Sequence, residues 1–275
     1  MRIFGVDFTC APRRAKPITA ASGFIQENNF VLERVERLES FAEFEALLAR
    51  PGPWLGGFDF PFSLPGELVR DLAWPAGWPA LVRHCASMSR PEFREALDAY
   101  RNTRLPGSRY AHRATDLPAG SSSPMKLVNP PVALMFHEGA PRILASGAHV
   151  PALVEGDSRR VALEAYPGLL VRRQLGMRES YKSDARSEQT AARATARRRI
   201  VAALKLGRPL GVSLQTKLDR ELVADGSGDM LDAVICAVQA AWAAARPRYG
   251  LPEHVPHAEG WITSACQVPG SGTSA

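Results

Sequence analysis

Two short apolar runs, Gly5-Val6-Asp7-Phe8-Thr9 and Gly57-Phe58-Asp59-Phe60-Pro61, each enclose one aspartate among strand-favouring residues. No other feature constrains the fold as much. A carboxylate held in apolar surroundings is costly, or becomes protonated, unless a cation, hydrogen-bond donors or a metal compensates it. Either aspartate alone reads first as a strand-end residue capping a neighbouring turn. Two in matching settings narrow the margin between that reading and a compensating cation.

The order of elements around these aspartates predicts an α/β chain. Arg2–Thr9 reads as a buried strand, and Pro17–Ile25 and Phe30–Leu38 as two more joined across Glu27-Asn28-Asn29, which gives a three-strand meander. Ser40-Phe41-Ala42-Glu43 has the form of a capping box, so a helix follows, with Phe41, Phe44, Leu47 and Leu48 on its apolar face and Pro51 as its stop. Trp54–Phe60 is then the fourth strand. Helix signals over Pro79–Met88 and Arg90–Asn102, and a long surface loop over Arg104–Pro124, suggest an insertion at about 66–125. Strands are expected at Pro141–Ser146 and Arg160–Tyr166, and a helix over Asp184–Leu206 ending at Gly207. A last helix begins near Asp229, where Leu231, Val234, Ile235, Val238 and Trp242 recur at helical spacing. The expected organisation is one domain over residues 1–265 and a disordered tail over 266–275.

Hydrophobic residues make up 45% of the chain against 23% charged, enough apolar material for one elaborated core. The longest nearly apolar run, Ala233 to Ala245, falls short of the roughly 20 residues that cross a bilayer, so no membrane segment is expected. Asp7 interrupts the first residues too early for a signal peptide, and the scattered cysteines Cys10, Cys85, Cys236 and Cys266 fit a reducing compartment. A cytoplasmic protein is therefore expected.

The net charge of +6 is unevenly placed. Between Gly168 and Lys217 stand 12 Lys/Arg and three acids, an excess larger than that of the whole chain. Arg193, Arg197, Arg198 and Arg199 are candidates for a basic surface that releases counterions from DNA or RNA, although a solvated helical face has the same composition. Aromatic residues are sparse in this stretch, which argues against base stacking there.

Asp229 and Asp232 stand three apart at the start of the last helix, on neighbouring surface positions where they can share an ion. The helix dipole also favours first-turn aspartates, and Asp229 can cap. Glu164, in Ala162-Leu163-Glu164-Ala165-Tyr166-Pro167, is a third apolar-flanked acid, and such a glutamate more often pairs with an arginine. His254 and His257 flank Val255-Pro256 in a loop and are set aside as ligands.

Gly5-Val6-Asp7, Phe58-Asp59-Phe60-Pro61 with Leu64-Pro65, Glu164-Ala165-Tyr166-Pro167, Tyr181-Lys182, Arg186, and Asp229-Met230-Leu231-Asp232-Ala233 follow one another in an order that resembles the domain of unknown function 429 family. The resemblance spans roughly residues 3 to 245. Members of that family are regarded as nucleases with a ribonuclease H-like fold, akin to RuvC-type resolvases. The resemblance implies that Asp7, Asp59, Asp229 and Asp232 converge as Mg2+ or Mn2+ ligands, with the first and fourth strands adjacent.

Mg2+ takes hard oxygen ligands and keeps part of its water shell, so a few carboxylates with substrate phosphate suit it. On that expectation Glu164 is a further ligand or orients a water, while Lys182 and Arg186, with Arg193 and Arg197, are candidates for phosphate binding. The leading expectation is a metal-dependent nuclease acting on DNA or RNA. A non-catalytic nucleic-acid-binding module is the first alternative. An actin-like ATP-dependent phosphotransferase ranks lower, because Phe8-Thr9-Cys10 rather than glycine follows Asp7. The oligomeric state is left open, a homodimer included.

Overall fold

A computed structural model describes residues 1–267. Its strands are β1 (Arg2–Asp7), β2 (Ile18–Gln26), β3 (Asn29–Leu38), β4 (Trp54–Asp59), β5 (Ala148–His149), β6 (Asp157–Glu164) and β7 (Ser213–Gln215). They form one mixed sheet in the order β5-β6-β4-β1-β2-β3-β7. The meander β1-β2-β3 is antiparallel, while β4 lies parallel to β1 and β6 parallel to β4. With helices on both faces, this mixed α/β arrangement is consistent with a ribonuclease H-like fold.

The period-two pattern of β1 explains why both faces are covered. Phe4 and Val6 enter one apolar cluster, whereas Ile3 enters the other. The first face is packed by α1 (Phe41–Leu48), whose Ser40/Glu43 capping box forms as expected, and by the helices that follow β4. These are α2 (Gly66–Asp71), α3 (Trp78–Ser87), α4 (Arg90–Thr103) and α6 (Val132–Ala145), whereas Ala119 of the short α5 (Asp116–Ala119) joins a separate small cluster with Leu169 and Ile262. The second face carries α7 (Ala191–Lys205), α8 (Asp219–Ala224) and α9 (Asp229–Ala244), of which α9 is buried along nearly its whole length.

Three expectations about local structure are corrected. Pro141–Ala145 is the last part of α6 and Ser146 its C-cap, so this segment is not a strand. Ala133, Phe136, Ala140 and Ile143 recur at helical spacing and are all buried, so packing of that face outweighs the local effect of Pro141. The helix expected from Asp184 starts at Ala191, where the Thr190 side chain accepts a hydrogen bond from the Arg193 amide; a 3-10 turn at Arg186–Glu188 precedes it. The Arg104–Pro124 segment is no simple surface loop either, because Ala111, Arg113, Thr115 and Asp116 are buried. In the expected tail, Cys266 and Gln267 belong to a 3-10 turn over Ala265–Gln267, and residues 268–275 lie outside the described residues. Among the described residues, no helix is long and apolar enough to cross a membrane.

Candidate metal centre

β1 and β4 pair in parallel with Gly5 opposite Gly57 and Asp7 opposite Asp59. Side chains two apart share a sheet face, so each aspartate points to the side of the glycine before it. Helix α9 crosses that face so closely that a Cβ on Gly5 would overlap the Ala233 carbonyl and the Ala237 amide nitrogen, and one on Gly57 the Cys236 carbonyl. Asp232, beside Ala233, is thereby brought onto the two strand-end aspartates. One carboxylate oxygen from each of Asp7, Asp59 and Asp232 lies within 4.8 Å of the other two.

Compensation within the cluster is incomplete. Asp232 has no exposed surface; its Oδ1 accepts from the Tyr181 hydroxyl at 2.5 Å, and its Oδ2 accepts from the Lys182 ammonium. No side-chain or backbone donor reaches the Asp7 or Asp59 carboxylate among the described residues. Burial raises the Asp7 pKa well above its ordinary value, and Asp232, Asp229 and Asp59 raise it further against the opposing pull of Lys182. Asp59 is pushed up to about 7, by burial first and then by Asp232 and Glu164, again opposed by Lys182. Lys182 is held firmly protonated: burial works against its charge, but Asp232, Asp7 and Asp59 outweigh that effect. One ammonium thus faces three carboxylates, and the fully ionised cluster carries two negative charges that a divalent cation with hard-oxygen preference would neutralise. Asp7, Asp59 and Asp232 therefore fit such an ion.

The other expected residues are placed differently. Asp229 does not join this triad, because the Lys16 ammonium contacts both of its oxygens, at 3.0 and 3.2 Å, and also reaches Asp184 at 2.7 Å. Nor does Asp229 cap its helix. The capping carboxylate is Asp225, which accepts from the Met230 amide at 2.8 Å and the Ser227 hydroxyl at 2.6 Å. Glu164 lies one strand over from Asp59 and is held by the buried Arg113 guanidinium through contacts of 2.6 and 2.7 Å, with the Phe62 amide donating at 3.0 Å. Arg113 also pairs with buried Asp116 at 2.9 Å. Glu164 is accordingly a charge-paired neighbour of the cluster rather than a member of it.

Arg197 does not extend a basic surface. It is buried, with its guanidinium donating to the carbonyls of Val223 at 2.8 Å and Tyr181 at 2.6 Å, so it braces the segment that carries Lys182. Arg193 is half-buried and donates to the Glu188 carbonyl, whereas Arg186 is exposed on the 3-10 turn outside the cleft lining.

A cleft of about 670 Å³ opens over the ends of β1 and β4. Asp7, Asp59, Glu164 and Asp229 line it together with Lys16, Lys126, Arg172 and Lys182. Sequence reading missed Lys16, Arg113, Lys126 and Arg172 as cleft residues; Lys16 and Arg172 follow Asp7 and Glu164 closely along the chain, whereas Arg113 and Lys126 lie far from any of the candidate acids. The only signal for Arg113 was the general tendency of a buried glutamate to pair with arginine.

A family model described as "Protein of unknown function (DUF429)" matches residues 5–257. No curated protein and no solved structure matches the chain.

Proposed function

We propose a function for the chain from the premise that it belongs to the DUF429 family, whose description assigns none: a divalent-metal-dependent nuclease that hydrolyses phosphodiester bonds of DNA or RNA. The observation that carries this reading is the convergence of Asp7, Asp59 and Asp232 within 4.8 Å, with the Lys182 ammonium seated on Asp232. Mg2+ or Mn2+ held by these three residues would polarise a phosphoryl oxygen and lower the pKa of a bound water.

The chain's own residues supply positioning and charge. The parallel β1–β4 register sets Asp7 beside Asp59, and the contact of α9 with Gly5 and Gly57 fixes Asp232 against both. Tyr181 orients the Asp232 carboxylate by donating to Oδ1. Lys182 offsets negative charge beside Asp232, and its partly exposed side chain lines the cleft, where a phosphate entering the site can meet it. Burial raises the Glu164 pKa, and Arg113 opposes that rise while orienting the carboxylate at the cleft wall.

The specific observation favouring a non-catalytic nucleic-acid-binding module is that Lys182 already occupies Asp232. Incubation of labelled branched, duplex and single-stranded DNA and RNA with Mg2+ or Mn2+, beside Asp7→Asn and with metal binding followed by calorimetry, separates the two readings. The nuclease reading expects cleavage and metal binding by the wild type and loss of both in the variant. Cleavage of nothing, or equal cleavage by both proteins, overturns it.

A further inference from the structure

The cleft has a charge arrangement that its own ion pairs do not balance. Lys16 is held by Asp184 and Asp229, Lys182 by Asp232, and Arg113 by Asp116 and Glu164. Lys126 and Arg172 also line the cleft, yet neither side chain has a carboxylate or hydrogen-bond partner among the described residues. They come from separate elements. The Lys126 backbone is fixed just before α6, its amide donating to the Ser123 carbonyl at 3.0 Å and its carbonyl accepting from the Ala133 amide at 2.8 Å. Arg172 stands on the helical turn Leu169–Gln174 that follows β6. Two uncommitted cations presented by anchored backbone at the mouth of an acidic site are suited to an anion longer than one phosphate.

An aromatic ring lines the same cleft. Tyr166 is half-buried, lines the cleft and folds back over Gly168, where a Cβ would sit 2.5 Å from the ring. Cationic groups that follow a backbone, with an aromatic face for a base, are the ingredients of single-strand recognition.

Size points the same way. The 670 Å³ cleft lies within the roughly 300–1,000 Å³ of enclosed ligand sites, room for a few nucleotides of one strand and not for a duplex. Asp7 and Asp59 line the cleft, and Asp232 beside them has no exposed surface. A duplex resting on the rim would keep its phosphates away from these acids, whereas one strand can enter.

We propose that the cleft takes a single-stranded nucleic acid, with backbone phosphates on Lys126 and Arg172 and one base against Tyr166. This substrate class rests on the nuclease reading only in sharing its cleft, and binding measured apart from turnover tests it separately. Anisotropy titrations of labelled oligo(dT), oligo(U) and a blunt duplex of equal length, with Ca2+ replacing Mg2+, provide that measurement. Either single strand should bind about tenfold or more tightly than the duplex, and the two arms tell DNA from RNA. Lys126→Ala and Arg172→Ala should each weaken binding several-fold and lower the salt slope by about 0.7. Tyr166→Ala should weaken it about tenfold while Tyr166→Phe, which keeps the ring, binds as the wild type does. Arg220→Ala, exposed on α8 outside the cleft lining, controls for general loss of charge.

Equal or tighter duplex binding overturns the proposal, as do absence of binding or Lys126 and Arg172 variants that behave like Arg220→Ala. Single-strand binding with the expected variant profile but no cleavage in Mg2+ or Mn2+ leaves the proposal standing and removes the nuclease reading. Asp7-dependent cleavage confined to duplexes does the reverse.

Discussion

Gly5 and Gly57 lie opposite each other across the parallel β1–β4 pair, and helix α9 sets its backbone against both. A methyl group on Gly5 would collide with the Ala233 carbonyl and Ala237 amide, which cannot move aside as a side chain can. Overpacking in cores costs about 1–3 kcal/mol, and a backbone collision belongs at or above the upper end. Gly5→Ala is expected to lower the urea midpoint accordingly and to weaken Mn2+ binding, because relief of the clash moves Asp232 away from Asp7. Unchanged stability together with unchanged metal affinity would show that the close approach does not set the geometry of the triad.

Arg113 is the single guanidinium between two buried carboxylates, Asp116 and Glu164. Replacing it with methionine keeps the apolar stem but leaves both charges without their cation, a change that costs about 3–5 kcal/mol for a buried pair. Arg113→Met should therefore lose about that much stability by chemical denaturation, and adding Glu164→Gln should restore a substantial part of it. A double variant no more stable than the single one would mean that Glu164 is compensated elsewhere, for example by the Phe62 amide alone.

These two networks differ in how far they could be read from sequence. Asp7 and Asp59 announce themselves, because each carboxylate sits within a strand-like apolar run, and the meander–helix–strand order that positions them is encoded in local patterning. The glycines two residues earlier are equally visible, but their role depends on α9 lying across both strands, a long-range packing fact. Asp229 and Asp232 have the same local signature. Only the fold places Lys16 on Asp229 and leaves Asp232 with the strand aspartates. Arg197 looked like one of a run of surface arginines, whereas its helix face turns it toward the carbonyls of Tyr181 and Val223. The segment holding Arg113 is rich in Gly, Pro and Ser and carries no periodic signal, so its burial follows from contacts with β6 and the 259–262 region that no local pattern encodes.

Glu138 on α6 gives the helical layer a pH-dependent tie. Burial works to raise its pKa, but the neighbouring His137, the Arg90 guanidinium at 2.6 Å and the Arg142 guanidinium at 2.9 Å outweigh that and bring it from 4.5 to about 2. Arg90 also donates to the Cys10 carbonyl, so the tie reaches the loop after β1. Because the folded pKa is depressed, the stabilisation is fully present above about pH 4.5 and is lost as pH falls through 2. Solvent screening of this partly exposed group holds its size to about 1–2 kcal/mol. The stability difference between wild type and Glu138→Gln, from urea midpoints, should be constant above about pH 5 and shrink toward zero near pH 2. A difference independent of pH would assign the effect of the variant to packing instead of charge.

Lys182 and a divalent cation compete for the same carboxylate. The Lys182 ammonium is seated on Asp232, and the close approach of its stem depends on Gly228, where a Cβ would lie 2.6 Å from that of Lys182 and where φ of +78° also favours glycine. In chelator, Lys182→Met leaves three carboxylates without an ammonium, and the partly exposed position of Lys182 limits the expected loss to about 1–3 kcal/mol. Added Mn2+ should then stabilise the variant more than the wild type, since ligand-linked stabilisation grows with affinity and the ion no longer displaces an ammonium. Cleavage should fall by about a hundredfold or more despite the tighter metal, because the group that would meet the entering phosphate is gone. Thermal melts in chelator and across a Mn2+ series, beside single-turnover cleavage, read the three effects separately. A smaller metal-induced shift in the variant than in the wild type would show that Lys182 supports the ion rather than excluding it, and the ammonium would then belong to the loaded site as a neighbour of Asp232.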